Sequence, residues 1–188
     1  MPINPVSPPA DIVDLAVRHV QTLALAPGPH LLSDAPHEEL ELAAPHRVYV
    51  LPFDAVRDKQ LSRAVFAGWR FLIVAGDNVI ASAEVLDDAE HSVVVNAGPF
   101  AAATAAAIGR LENLPEVQAG DVELRILKIN ALYLVAVWLV GDEQMIIPLE
   151  PAPPFVQAGR AYNEHSFFEA LSQPAVKPFS GGPGKTPN

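Results

Sequence analysis

Three stretches carry residue types that chemistry could use. The first is GGPGKTPN, residues 181–188. Gly184-Lys185-Thr186 is the close of a phosphate-binding loop, G-x-x-x-x-G-K-[ST], whose glycines free backbone N–H groups to curl round phosphate oxygens. A helix must follow, to aim its positive end at the anion. Here Phe179 stands where the first glycine belongs, Pro183 removes a donor, and Pro187 follows at once. The stretch reads as a disordered Gly/Pro tail over 173–188, with no phosphate site.

The second stretch is PHEEL, residues 36–40, which opens like a zinc-protease helix. That motif needs a second imidazole four residues on, to place both ligands on one helical face, and position 41 is Glu41. The third is DDAEH, where Asp87, Asp88, Glu90 and His91 crowd a turn. It lacks the alternating acids and central glycine of a Ca²⁺ loop and reads as a solvated turn. The six histidines, His19, His30, His37, His46, His91 and His165, lie on separate segments. His19 sits on an apolar stripe and reads as a satisfied, partly buried ring. Ser33, Ser62, Ser82, Ser92, Ser166 and Ser172 have no nucleophile elbow around them. Cysteine is absent, which excludes a thiol nucleophile, a disulfide framework and cysteine-bound metal. The expectation is therefore no catalytic, cofactor-binding or metal residue, and no cofactor.

Charge narrows the partners. Lys plus Arg total 12 against 22 for Asp plus Glu, a net charge of −10 with no basic run. Counterion release on a polyanion needs clustered positive charge, so nucleic acid and anionic membrane surfaces are poor partners. The strongly apolar, charge-free run at 129–140 spans 12 residues, against the roughly 20 that cross a bilayer as a helix. The N-terminus shows no basic start followed by an apolar run. A soluble, cytoplasmic protein is expected.

The elements that must position any site follow from periodicity. Residues 1–10 are Pro-rich and expected to be flexible. A helix from Asp11, its expected N-cap, to about Leu25 carries Ile12, Leu15, Ala16, Val20 and Leu23 on one stripe. Residues 27–45 read as a Pro- and acid-rich connector with a helical turn near Glu38–Leu42. RVYVLPF reads as a strand, while residues 54–66 fit either a short helix or an irregular lead-in. WRFLIVA and VIASAEVL flank Gly76-Asp77-Asn78 and predict a hairpin, which HSVVVN extends. Pro99 opens an alanine-rich helix. VELRILKI, ALYLVAVWLV and EQMIIPLE then form a meander, and Asn163 caps a last helix, EHSFFEALS.

Alternation in the strands sets the architecture. In ALYLVAVWLV, Leu132, Leu134, Ala136 and Trp138 oppose Tyr133, Val135, Val137 and Leu139, and both sets are apolar. Both faces need cover, from the chain's own helices in a three-layer arrangement or from a second copy. With half the residues hydrophobic over 188 positions, one domain over 11–172 is expected: α+β, with a mainly antiparallel sheet of about five to seven strands. The element order resembles the layout of roadblock and profilin-like domains, by order alone. The function expected is protein–protein contact, by self-association or with a partner protein. A small-molecule binder or enzyme is the alternative, and an acidic neutraliser of a basic protein the third.

Overall fold

A computed structural model of the chain describes residues 3–4, 6–32, 35–111 and 122–172. Its strands are β1 (Ile3–Asn4), β2 (Leu40–Val50), β3 (Val65–Ala75), β4 (Asn78–Leu86), β5 (Val93–Asn96), β6 (Val122–Ile129), β7 (Leu134–Val140) and β8 (Met145–Pro148). The described α-helices are α1 (Ala10–Ala24), α2 (Phe53–Arg57), α3 (Pro99–Leu111) and α4 (Glu164–Ser172). The sheet runs in the order β5-β4-β3-β2-β6-β7-β8, with β1 added beside β6. Neighbours are antiparallel except β2–β6 and β1–β6. The fold is α+β with a mostly antiparallel sheet.

The predicted hairpin forms as β3–β4, and Ala75 pairs with Asn78 across Gly76 and Asp77. Asn78 therefore belongs to the strand, which shortens the turn to two residues; Gly76, at φ 56°, takes the left-handed geometry such turns require. Register then sorts the side chains. Trp69 lies opposite Arg47, Arg47 opposite Arg125, and Arg125 opposite Trp138, so these four share one face. On that face α1 packs Ile12 and Ala16 against Trp69, Phe71 and Val85. Phe167 and Phe168 of α4 pack there against Leu134, Ala136 and Trp138. On the other face, Ala107 and Leu111 of α3 meet Val135, Val137 and Leu139. The two-sided apolar pattern of β7 is thus satisfied inside one chain, where Leu134 to Leu139 are all buried.

Four expectations change. Helix α1 begins at Ala10, with Pro9 at the cap position and no side-chain cap, so Asp11 sits in the first turn instead of capping it. Residues 40–45 join β2 instead of forming a helical turn; only His37–Glu39 is helical, as one 3₁₀ turn. Period-two burial explains this, because Leu40 and Leu42 pack on the cluster around Ile73 while Glu41 is exposed. Tyr133, read as core, is 88 % exposed at φ 50°. Asn130–Leu132 forms a 3₁₀ turn ahead of β7, which swings that ring out. Finally, Ile3 and Asn4 of the Pro-rich N-terminus pair with β6. The cap at Asn163 forms as expected, its Oδ1 accepting the Ser166 N–H at 2.8 Å. The GKT stretch and tail lie outside the described residues.

Candidate functional site

Two features stand out, and both lie on the α3 side of the sheet. The first is a buried charged cluster. His46 on β2 pairs directly with Arg70 on β3, and Arg70 with Glu84 on β4. Glu84 Oε1 accepts from Arg70 Nε at 2.8 Å, and Glu84 Oε2 accepts from Lys128 Nζ of β6. Arg70 is only 3 % exposed and His46 only 7 %. Two cations share one carboxylate. Arg70 Nη1 and His46 Nε2 have no hydrogen-bond partner among the described residues.

His46 reaches this face through an irregularity. Ala43 opposes Leu72 and His46 opposes Arg70, so β2 spends one residue more than β3 between the two pairs. The extra residue is absorbed where Ala44 is left-handed, at φ 47°, and where Pro45 has no N–H for the ladder. The bulge reverses the alternation that Leu40 and Leu42 set, and turns His46 inward beside Arg70.

Burial, reinforced by the positive charge of Arg70, lowers the His46 pKa from 6.5 to about 4, against a smaller opposing hydrogen bond with the Pro45 carbonyl. The unfolded chain therefore binds the extra proton first, and stability falls as pH drops from about 6.5 toward 4. Between pH 7 and pH 5 this should remove about 2 kcal/mol. Urea melts across that range check it, and His46→Gln should flatten the decline. Asp54 and Asp88 do not mimic the effect. Their carboxyls are held below the ordinary range by hydrogen bonds from Arg63 and from the Ser92 backbone respectively, so both act only in more acid solution.

On the opposite face Arg47 and Arg125 share one carboxylate, while Arg125 Nε, buried like Arg70 Nη1, has no hydrogen-bond partner among the described residues. Glu123 accepts from Arg47 at 3.3 Å and from Arg125 at 2.6 Å. The Arg125 guanidinium lies 4.8 Å from the Tyr49 ring and 5.1 Å from Trp138, and that of Arg47 lies 5.6 Å from Trp69. Such stacking lets charged side chains lie over aromatic rings in mid-sheet between α1 and α4. It explains the row as packing.

The second feature is an open groove of about 810 Å³ between α3 and the segment after β8. Pro99, Ala102, Ala103 and Ala106 line the helical side; Glu150 to Pro154, Val156 and Ala158 line the other. It continues into a smaller hollow of about 180 Å³, where Arg110 and Glu150 supply its ionisable groups. Each alanine projects one methyl, so an occupant reaches close to the helix backbone. The prolines hold their wall at fixed φ.

The residues singled out in the sequence do not meet. His37 is paired with Glu38 on an exposed turn at 3.3 Å, and His165 with Glu169 within α4. His19 is exposed on α1 instead of partly buried. His30 Nδ1 accepts the Leu32 N–H. Within DDAEH, Asp88 Oδ1 accepts the N–H groups of Glu90 and Ser92, so that stretch is a self-capped turn. Ser166 and Ser172 bond to backbone carbonyls of their own helix region, and Ser82 bonds to Asn96 across the ladder. Among the described residues no three His, Asp or Glu groups converge as a metal site, and no helix is long and apolar enough to cross a membrane.

The charged cluster was missed because Arg70, Glu84 and Lys128 each look unremarkable alone. The available signal was position: each interrupts a strand that is otherwise apolar at alternate sites, as in WRFLIVA and ASAEVL. No family model, curated protein or solved structure matches the chain.

Proposed function

We propose that the chain is a protein-interaction domain whose α3 groove receives an apolar segment of a partner protein. The groove itself carries this reading. It is open to solvent, walled by alanine methyls and proline rings, and among the described residues that line it Arg110 and Glu150 are the ionisable groups. A stiff wall loses little entropy when an occupant settles, which favours recognition of a chain segment. Six ionisable residues of the sheet, Arg47, Arg70, Glu84, Glu123, Arg125 and Lys128, are engaged with one another away from this groove. A small-molecule site is the second reading, because about 810 Å³ lies within the range of ligand cavities. The scarcity of polar groups converging on one point weighs against it.

The test uses Ala102→Arg with Ala106→Arg, both at exposed groove positions. Arginine is a good helix former, so stability should stay within about 0.5 kcal/mol of wild type. A photo-crosslinking residue at position 106 of the wild-type chain should capture a protein, either a second copy or another chain, and the double variant should lose that association in light scattering or pull-down. A wild-type chain that stays monomeric and yields no crosslink, or a captured association that the double variant keeps, would overturn the reading. A thermal shift with a metabolite that the double variant abolishes would establish the small-molecule reading in its place.

A further inference from the structure

The sheet ends at β8 on one side and at β5 on the other, and the two edges are finished differently. Along β8, Ile146 exchanges both backbone bonds with Tyr162, at 2.8 and 2.9 Å, and the Pro148 carbonyl accepts from Gly159. Along β5 no further described strand follows. Hydrogen-bond phase shows which of its groups face out. The Leu86 N–H donates to the Ser92 carbonyl, Val85 pairs with Val93, and Glu84 with Val94. Alternation in an antiparallel ladder then aims the Val94 backbone groups at β4 and leaves the N–H and C=O of Val93 and Val95 facing away from it. The strand is nonetheless anchored, because both of those side chains pack in the cluster with Val20 of α1. The devices that guard an edge are missing from SVVVNA, which has no lysine, proline or bulge. Val94, on the opposite face, is 49 % exposed.

We propose that β5 pairs antiparallel with β5 of a second copy of the chain, about a two-fold axis through Val94. Val93 of each copy then exchanges both backbone bonds with Val95 of the other, so that every outward group is used. Val94 meets Val94 of the second copy as a non-hydrogen-bonded pair, the closer kind, with Cα atoms about 4.5 Å apart. That contact covers its exposed side chain. A register centred on Val93 would need His91 opposite Val95, and His91 has left the strand at φ 48° with its N–H given to the Asp88 carbonyl. Charge favours a second copy as the occupant. The chain carries −10, so two copies must keep their acids apart. Carried past the strand ends, the register sets the exposed Glu90 of one copy opposite Gly98 of the other, just ahead of α3. That helix has no acid in its first turn, so its positive end attracts the incoming carboxylate. The two Glu90 residues end about 25 Å apart, well beyond the reach of screened repulsion. None of Val93, Val94 and Val95 lines the α3 groove, so the pairing does not rest on that reading.

The chain has no cysteine, so a single Val94→Cys reports on the axis directly. Under mild oxidation it should give a covalent dimer, whereas Ser92→Cys, whose two copies lie about 13 Å apart in this register, should not. Sedimentation velocity of the full chain should show a concentration-dependent dimer for the wild type. Val95→Pro removes an outward donor and spares the bonds to β4. Val94→Lys sets two like charges on the axis. Each should weaken the dimer about tenfold or more, and Val94→Lys, at a half-exposed position, decides the matter if Val95→Pro fails to fold. Ala102→Arg with Ala106→Arg should leave this dimer intact, which separates it from the groove. A wild type that stays monomeric at its highest soluble concentration, a dimer that survives Val94→Lys, a dimer that only the groove variant abolishes, or equal crosslinking by the two cysteine variants would overturn the pairing.

Discussion

Glu84→Gln is expected to lower unfolding free energy by about 3–5 kcal/mol, the range for breaking a buried ion pair by removing one partner. The substitution keeps the shape and removes the charge. Arg70, 3 % exposed, and Lys128 then sit together with no carboxylate between them. The penalty comes from two stranded cations, one of them deep, more than from the lost hydrogen bonds themselves. A urea melt should show a lower midpoint with an unchanged slope. Adding Lys128→Met to Glu84→Gln should recover part of the loss, since the pair acts through the same carboxylate. A loss below about 1 kcal/mol, the size of a surface pair, would mean that solvent reaches the cluster freely.

Gly68→Ala should be comparably damaging for a different reason. Gly68 lies in β3 at φ 131°, where an L side chain is strained. A Cβ there would stand 2.1 Å from the Val85 carbonyl oxygen and 3.0 Å from the Leu86 Cα. Both atoms are backbone of β4, so no side chain can swing aside. The β3–β4 ladder would have to part beside the bulge at which Tyr49 opposes Phe66 and Val48 opposes Gly68. A loss of about 3 kcal/mol or more follows from backbone strain together with disrupted pairing. Failure of the variant to fold is consistent with this expectation; a stability within 1 kcal/mol of wild type, by the same melt, would contradict it. The position also borders the side chains of Phe66 and Trp69, which meet edge to face at 6.3 Å, so near-ultraviolet dichroism should report the distortion.

The local elements were legible because their causes are local. Period-two apolar runs gave the β3–β4 hairpin and the β6–β8 meander; Pro99 and the alanines gave α3; Asn163 gave the cap of α4. The face assignment of β7 was legible too, since alternation alone separates Leu134, Ala136 and Trp138 from Val135, Val137 and Leu139. Where short-range signals competed, the sequence misled. Tyr133 belongs to an apolar run, yet it closes the 3₁₀ turn Asn130–Leu132 in a left-handed conformation, and the strand alternation starts one residue later, at Leu134. Leu40 and Leu42 sit among acids and prolines but pair as strand because β3 offers them a ladder.

What the sequence by itself determined is most of the strands and helices and the demand that β7 be covered on both faces, because hydrophobic periodicity and turn chemistry act over a few residues. What only the tertiary structure decided is which charged residues meet. His46, Arg70, Glu84 and Lys128 come from four strands, and their encounter depends on strand order, on register and on one extra residue in β2 near Pro45. A slip of a single residue carries a side chain to the other face of a sheet. The parity that Leu40 and Leu42 imply would put His46 on the α1 side; the bulge puts it on the α3 side, against Arg70, and so creates the buried cluster.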